Sequence, residues 1–289
     1  MLRADGQGMV LLELRQLKPD VRSKIAGMLV EGNSIRGIER MTGNSKTAIL
    51  KLLSDLGTAC AAYHNQHVRD LKPKRLELDE IWSFVGCREK NVDEAKLAKG
   101  WGSVWTWVAI DPDTKLVVAY AVNKRDEPTA KQFLADCAGR ITSRVQISTD
   151  GFKPYREAIE KAFGANVDYG IAPIRKAVSG RPDPALVTIA HVERQNLTMR
   201  MAMRRFTRKT NGVSKTIEQH RNTVALNFMY YNFCWRHTTL RVTPAMEAGL
   251  TGHIWGINEI VALLPKPVIG PSLKDREILR RALERSDLS

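Results

Sequence analysis

The chain has 289 residues, 43% of them hydrophobic, enough for a large core and, by length, for one catalytic unit and one smaller one. Its formal net charge of +14 is uneven, +6 over residues 1–75, −1 over 76–193, +9 over 194–241 and neutral beyond, which suits a protein that grips a polyanion at both ends and works on it in between. Cysteines at 60, 87, 137 and 234 form no CxxC pair, and the longest apolar runs, such as Leu116–Val122, are strand-sized, so zinc ligation, a disulfide framework, secretion and a membrane span are excluded and a cytoplasmic protein is expected.

Residues 1–20 carry little pattern beyond a small amphipathic piece around Val10–Leu17. Asp20 can cap a helix running to Val30, and Gly32-Asn33 breaks it. Ser34 can cap the short helix IRGIERM, Thr42-Gly43-Asn44 forms a turn, and Ser45 can begin KTAILKLLSDL, ended by Gly57. Two short helices joined by a glycine-containing turn read as a helix-turn-helix, with Ser45, Lys46 and Thr47 at the helix start that would enter a major groove. The same pattern also suits an ordinary three-helix bundle. A connecting helix and the basic linker Leu71-Lys72-Pro73-Lys74-Arg75 follow, and the domain boundary is expected there, giving an all-α region over 1–75.

Strand patterning begins at Leu76–Val85 (LELDEIWSFV), and WGSVWTWVAI and LVVAYAV, joined by Asp111-Pro112-Asp113, predict two more strands. Trp101, Trp105 and Trp107 share one parity and should pack on one sheet face, with base stacking the less favoured role. Residues 86–100 read as a loop or flap. Pro128 opens a helix to about Ile141, Val145–Thr149 is a buried strand ending in Asp150-Gly151, Tyr155–Phe163 is a helix, and Val167–Ala172 is a short strand. Pro173, Ser179-Gly180, Pro182 and Pro184 mark a loop. The order of strands and helices predicts an α/β domain with helices on a central mixed sheet, in which carboxylates at the ends of the first and fourth strands can converge.

HVERQNLTMRMAMRRFTRKT, from His191 to Thr210, lacks glycine and proline and predicts one long helix. Glu193 is its one carboxylate, among Arg194, Arg200, Arg204, Arg205, Arg208 and Lys209. Asn196 and Arg200 lie on the Glu193 face, the seven-residue spacing leaving Glu193 and Arg200 within about 20°. The segment is either a solvated basic helix with an incidental acid or a carboxylate that holds a divalent metal while the arginines hold a polyanion. Ser214–Trp235 predicts a second long helix whose apolar positions cover the core, with His220 and Arg221 exposed. Residues 236–264 read as loops and short helices, and the tail is charged and helical from Leu273.

Taken together, LDEIWSFVG at 78–86, STDGFKPY at 148–155, HVERQNLTMR at 191–200 and RKTNGVSKT at 208–216 resemble the DDE transposases of the insertion sequence 1 family, over roughly residues 76–235. The resemblance implies a ribonuclease-H-like α/β catalytic domain, 76–241, behind a helix-turn-helix domain; the helical tail over 242–289 reads from its own pattern as either an oligomer contact or a disordered segment. It implies that Asp79, Asp150 and Glu193 hold two Mg²⁺ ions, with Mn²⁺ able to substitute. Phosphodiester attack by water or a 3′-hydroxyl needs hard cations on hard oxygen ligands. Arg200 matches a family position that contacts DNA near the reacting phosphate; Asn196, Arg194, Arg204, Arg205 and Lys209 extend the expected DNA surface. Tyr155 and His191 also match motif positions.

Strand parity around LELDEIW is imperfect, which leaves Glu80 as the alternative to Asp79; the motif favours Asp79. Asp111 and Asp113, flanking a proline, read as turn residues, and His191, without a second His or Cys nearby, as a support for its helix. The family often carries a cysteine-based zinc finger ahead of the helix-turn-helix, for which this chain has no cysteines. The expected partners are double-stranded DNA, as element ends and as target, and further copies of the chain on that DNA, at least a dimer. The alternatives are a nuclease of the same core and a catalytically idle DNA-binding regulator.

Overall fold

In the computed structural model, residues 17–207 and 212–265 are described. The amphipathic piece before Leu17, Arg208 to Thr210 including Lys209, and the tail beyond Pro265 lie outside the described residues.

Among the described residues three helices come first: α1 (Pro19–Val30), α2 (Ile35–Thr42) and α3 (Lys46–His67). The Ser34 hydroxyl accepts from the Gly37 amide at 3.0 Å, Gly43 closes α2 in the left-handed region at φ 70°, and Ser45 caps α3 by accepting from Ala48. Asp20 lies inside the first turn of α1 rather than at its cap, because Pro19 already occupies a helical position. Gly57 does not end the third helix, which runs ten residues further. It marks instead the point where α3 crosses a later helix: a Cβ there would lie 2.4 Å from the Cα of Asn222.

The sheet consists of β1 (Arg75–Val85), β2 (Gly102–Ile110), β3 (Val117–Asn123), β4 (Val145–Thr149), β5 (Val167–Ile171) and β6 (Lys176–Ser179), ordered β3-β2-β1-β4-β5-β6. β1, β4 and β5 are parallel to one another, and the remaining pairs are antiparallel. Residues 86–101 hold a 3-10 turn and α4 (Glu94–Leu97); α5 (Glu127–Ala138) and α6 (Pro154–Phe163) connect the parallel strands. The expected loop of prolines contains β6, which pairs with β5 despite its exposed, charged sequence. After it come α7 (Ala190–Ala202), α8 (Ile217–Phe233), α9 (Pro244–Glu247) and α10 (Ile257–Ala262). A mixed sheet with helices on both faces is the ribonuclease-H-like α/β arrangement that the strand order predicts.

Alternation along β1 assigns its two faces. Leu76 and Leu78 point with Trp107 and Ala109 into a core closed by Phe133, Leu134, Tyr155 and Ile159 of α5 and α6. Ile81 and Val85 point with Val104, Val108 and Ile110 into a second core closed by Val192 and Met199 of α7 and Val224 and Phe228 of α8. Fully burying each such side chain contributes about 1.5–3 kcal/mol. The outer residues of α8, Leu226, Met229 and Phe233, share the first cluster with Leu52, Leu53, Leu56 and Cys60 of α3, so the N-terminal helices are packed through α8 against the sheet.

The long helix expected over 191–210 ends at Ala202. Met203 is extended at φ −125°, ψ 110°, and the next three residues form a 3-10 turn. Burial of Met203 and Phe206 in the second core draws the chain inward there, and the Ala202 carbonyl packs against Gly32, leaving no room for a side chain at that turn.

Candidate active site

Register brings the acids of two strands together. β1 and β4 pair in parallel up to Glu77 opposite Ser148, and two residues further on each strand Asp79 and Asp150 come level. Asp150 leaves the sheet in a turn in which Gly151 takes φ +90° and the Asp150 carboxylate accepts from the Phe152 amide at 2.9 Å. Oxygens of Asp79, Glu80 and Asp150 lie within 4.8 Å of one another.

Helix α7 is laid along β1 by the same strand. Glu77, 1% exposed, accepts from the amides of His191 at 2.7 Å and Val192 at 3.1 Å and from His191 Nδ1 at 2.9 Å, capping the helix with a buried negative charge. Two residues along β1, a rise of about 6.6 Å, match four residues of helix, about 6 Å. The next acid on that face, Asp79, therefore meets Asn196, whose Nδ2 donates to Asp79 Oδ2 at 2.8 Å. Met199, one turn on, packs in the cluster that holds Ile81. His191 supports its helix, as the sequence suggests.

Asp79 is pushed up to about 6, first by burial and further by the negative charges of Asp150 and Glu193, against hydrogen bonds from the backbone and Asn196. Glu193 is exposed and lies outside the 4.8 Å group, on the α7 side. Glu80 faces the opposite side of the sheet and is pushed up to about 7, chiefly by burial. Its Oε2 accepts from Arg125 Nε at 2.9 Å, and the Tyr155 phenol faces the same carboxylate and favours its charged form, while the buried Asn196 Oδ1 has no hydrogen-bond partner. The Tyr155 phenol is held well above its usual range by burial and by the charge of Glu80. Asp79 and Glu80, both pushed toward the neutral form, crowd against Asp150 in a hard-oxygen donor set that suits a divalent cation.

Arg125, between β3 and α5, was not singled out by the sequence. Its Nη2 donates to Asp150 Oδ2 at 2.9 Å while Nε holds Glu80, and its guanidinium lies 3.9 Å from the Phe152 ring centroid and 5.2 Å from that of Trp105. Glu77 was also missed, although its parity with Asp79 was a usable signal. Trp107 is fully buried among Phe133, Phe152 and Tyr155, and Trp105 is half-buried on the same face. Trp101 precedes β2, packs on Gly86 and donates to the Lys215 carbonyl, so only two of the three tryptophans share a strand face. Asp111 accepts from the Asp113 amide and the Thr114 hydroxyl, a turn as expected.

Residues 89–227 match the family of the DDE domain, a segment that holds Arg125, Asp150 and Glu193 and starts just after β1. Over 152 residues, 51% of this chain and 88% of the relative, the chain is 27% identical to the insertion element iso-IS1n protein InsB of Shigella dysenteriae. Together the two similarities support a DDE transposase of the insertion sequence 1 type. Similarity to the DDE domain implies DNA binding and use of a divalent metal, and among the described residues no helix is long and apolar enough to cross a membrane.

The residues expected on the DNA surface divide into two sets. Ser45, Lys46, Thr47, Arg194 and Arg204 are exposed and Arg200 is half-exposed. Arg204 and Arg40 line a cleft of about 450 Å³ between the first helices and the end of α7. Two residues expected on the DNA surface are turned inward instead. Asn196 is 4% exposed and spent on Asp79. Arg205 donates to Ser214 Oγ at 2.8 Å and is lowered to about 10 by burial. His220, expected at the surface, is fully buried, with Nδ1 2.9 Å from Ser214 Oγ and Nε2 3.2 Å from Ser83 Oγ, because α8 presents that position to the underside of β1.

Burial, then Arg205 and Arg221, lower His220 to about 3. Its unfolded form binds a proton below about 6.5 and its folded form does not, so its contribution is complete above about 6.5 and is lost as pH falls toward about 3. Urea unfolding from pH 7 to 4 should show the wild type losing up to about 1.4 kcal/mol per pH unit more than His220→Gln. Parallel curves would show that His220 does not titrate between the two states.

Proposed function

We propose that this protein is a DNA transposase that cuts phosphodiester bonds at the ends of its own insertion sequence and joins the freed 3′-hydroxyls to target DNA. The observation that carries this reading is the levelling of Asp79 and Asp150 on parallel strands, their oxygens within 4.8 Å, with the charge of Glu193 reaching Asp79. Asp79, Asp150 and Glu193 are the proposed ligands of two Mg²⁺ ions, Mn²⁺ substituting, and the Glu80 carboxylate lies beside Asp79 and Asp150. Bound there, the ions would make an attacking hydroxyl more acidic and stabilise charge on the leaving oxygen.

The chain's own residues supply the frame. Glu77 fixes the start of α7, and Asn196 orients the Asp79 carboxylate. Arg194, Arg200 and Arg204 are the proposed phosphate contacts beside the site, and Ser45, Lys46 and Thr47 at the start of α3 the contacts of a helix-turn-helix in a duplex groove. Residues 1–75 are proposed as the DNA-recognising part and 76–241 as the catalytic part. Two ends must be held together, so a dimer or larger assembly on DNA is part of the proposal.

The test is cleavage of a labelled duplex carrying the sequences that flank the gene, with Mg²⁺ or Mn²⁺ and with EDTA, alongside light scattering of the complex. Nicks at the element ends that vanish with EDTA, on a complex of at least two protomers, are expected. Binding of the ends without cleavage under either metal would leave a DNA-binding regulator, and a monomeric complex holding both ends would overturn the assembly.

A further inference from the structure

Arg125 is a cation already seated among the carboxylates. One guanidinium edge spans two strands, Nε to Glu80 Oε2 and Nη2 to Asp150 Oδ2, both at 2.9 Å, and its plane is held by the rings of Phe152 and Trp105. The Glu80 side chain is 1% exposed and Asp150 31%. A single charge thus serves one buried and one half-buried acid. Each Asp150 oxygen already has one partner: Oδ1 accepts from the Phe152 amide and Oδ2 from Arg125. The stacked, two-pronged grip is one that a lysine cannot reproduce.

We propose that Arg125 is the internal counter-cation of this site, a positioning residue that holds Glu80 and Asp150 together before metal enters and sets the affinity for metal by competing for Asp150. Without it, three crowded acids would repel one another across the junction of β1 and β4. With it, the metal-free protein keeps Asp150 in place, and an arriving divalent ion meets a positive charge next to one of its ligand oxygens. The inference rests on the metal reading above. It adds a role for a residue that lies on neither the carboxylate set nor the DNA surface.

The test uses the full chain and Mn²⁺ as the probe, titrated by the electron paramagnetic resonance of free Mn²⁺, with melting curves in EDTA and in saturating Mn²⁺. Arg125→Gln should bind Mn²⁺ about tenfold more tightly than wild type, from removal of one unit charge within a few ångströms. It should melt below wild type in EDTA, with the gap closing in Mn²⁺. Arg125→Lys, which keeps the charge without the fork or the stack, should bind with intermediate affinity and gives the same comparison should the glutamine variant fail to fold. Unchanged or weaker Mn²⁺ affinity in both variants, with the same melting deficit with and without metal, would make Arg125 a purely structural group and overturn the proposal. Wild type binding no better than Asp150→Asn would overturn the metal site itself.

Discussion

Replacing Asp150 by alanine, or Glu193 by glutamine, is expected to lower end cleavage by about three orders of magnitude or more while leaving duplex binding within a few-fold of wild type. A loss of that size is about 4 kcal/mol of barrier. It follows from the proposed assignment, in which the two carboxylates hold the ions and neither touches the groove-binding start of α3. Asp150 lies where β4 leaves the sheet, and Glu193 is exposed on α7, so neither substitution removes core packing. Asp150→Ala does release Arg125 from one partner, and the isosteric Glu193→Gln therefore serves as the cleaner of the two. Single-turnover cleavage and gel-shift titration on the same duplex separate the effects. Cleavage retained in Glu193→Gln would remove Glu193 from the metal site; binding lost together with cleavage would point to damage to the fold.

The second large effect concerns the fold. Gly57→Leu is expected to cost about 3 kcal/mol, because its Cβ would lie 2.4 Å from Asn222 Cα and 2.7 Å from the Asn222 carbonyl, backbone atoms that cannot turn aside. For a chain of this size that is a fall of about 6–12 °C in melting temperature. The N-terminal helices meet the sheet through the α3–α8 contact, so the same change should also weaken binding of element ends. Gly27→Ala is the control. That glycine sits inside α1 with nothing within 4 Å of a Cβ, and alanine there should raise stability by about 0.4–1 kcal/mol. Equal melting of Gly57→Leu and wild type would mean that α3 does not bear on α8 at position 57.

Much of the fold was legible because local rules agree with it. Ser34 and Ser45 cap where capping chemistry places them, and Pro128 opens α5 one residue inside its start. Alternation in LELDEIWSFV and GSVWTWVAI places Trp107 and Leu78 inside. Departures arise where a distant contact outweighs the local signal. Gly57 reads as a stop yet serves as a crossing point, and an unbroken run of helix formers ends at Ala202 because Met203 and Phe206 are drawn into a core that the run itself does not encode. His220 follows the same logic, since its partners Ser83 and Ser214 come from other segments.

By itself the sequence determined the candidate acids of the proposed site and their order along the chain. An acid in the first strand, another at the end of the fourth and a third opening the basic helix are local facts of pattern and motif, and they carry the resemblance to the DDE transposases with them. Only the tertiary structure decided which charges face which. Pairing of β1 with β4 makes Asp79 and Asp150 neighbours, the pitch match between β1 and α7 turns Asn196 inward to Asp79 and leaves Arg194 and Arg200 toward solvent, and the path of β3 into α5 delivers Arg125 to Glu80 and Asp150. These are contacts between residues 25 to 117 positions apart, set by strand register and helix packing. Periodicity within one element assigns a face, but it cannot name what stands opposite.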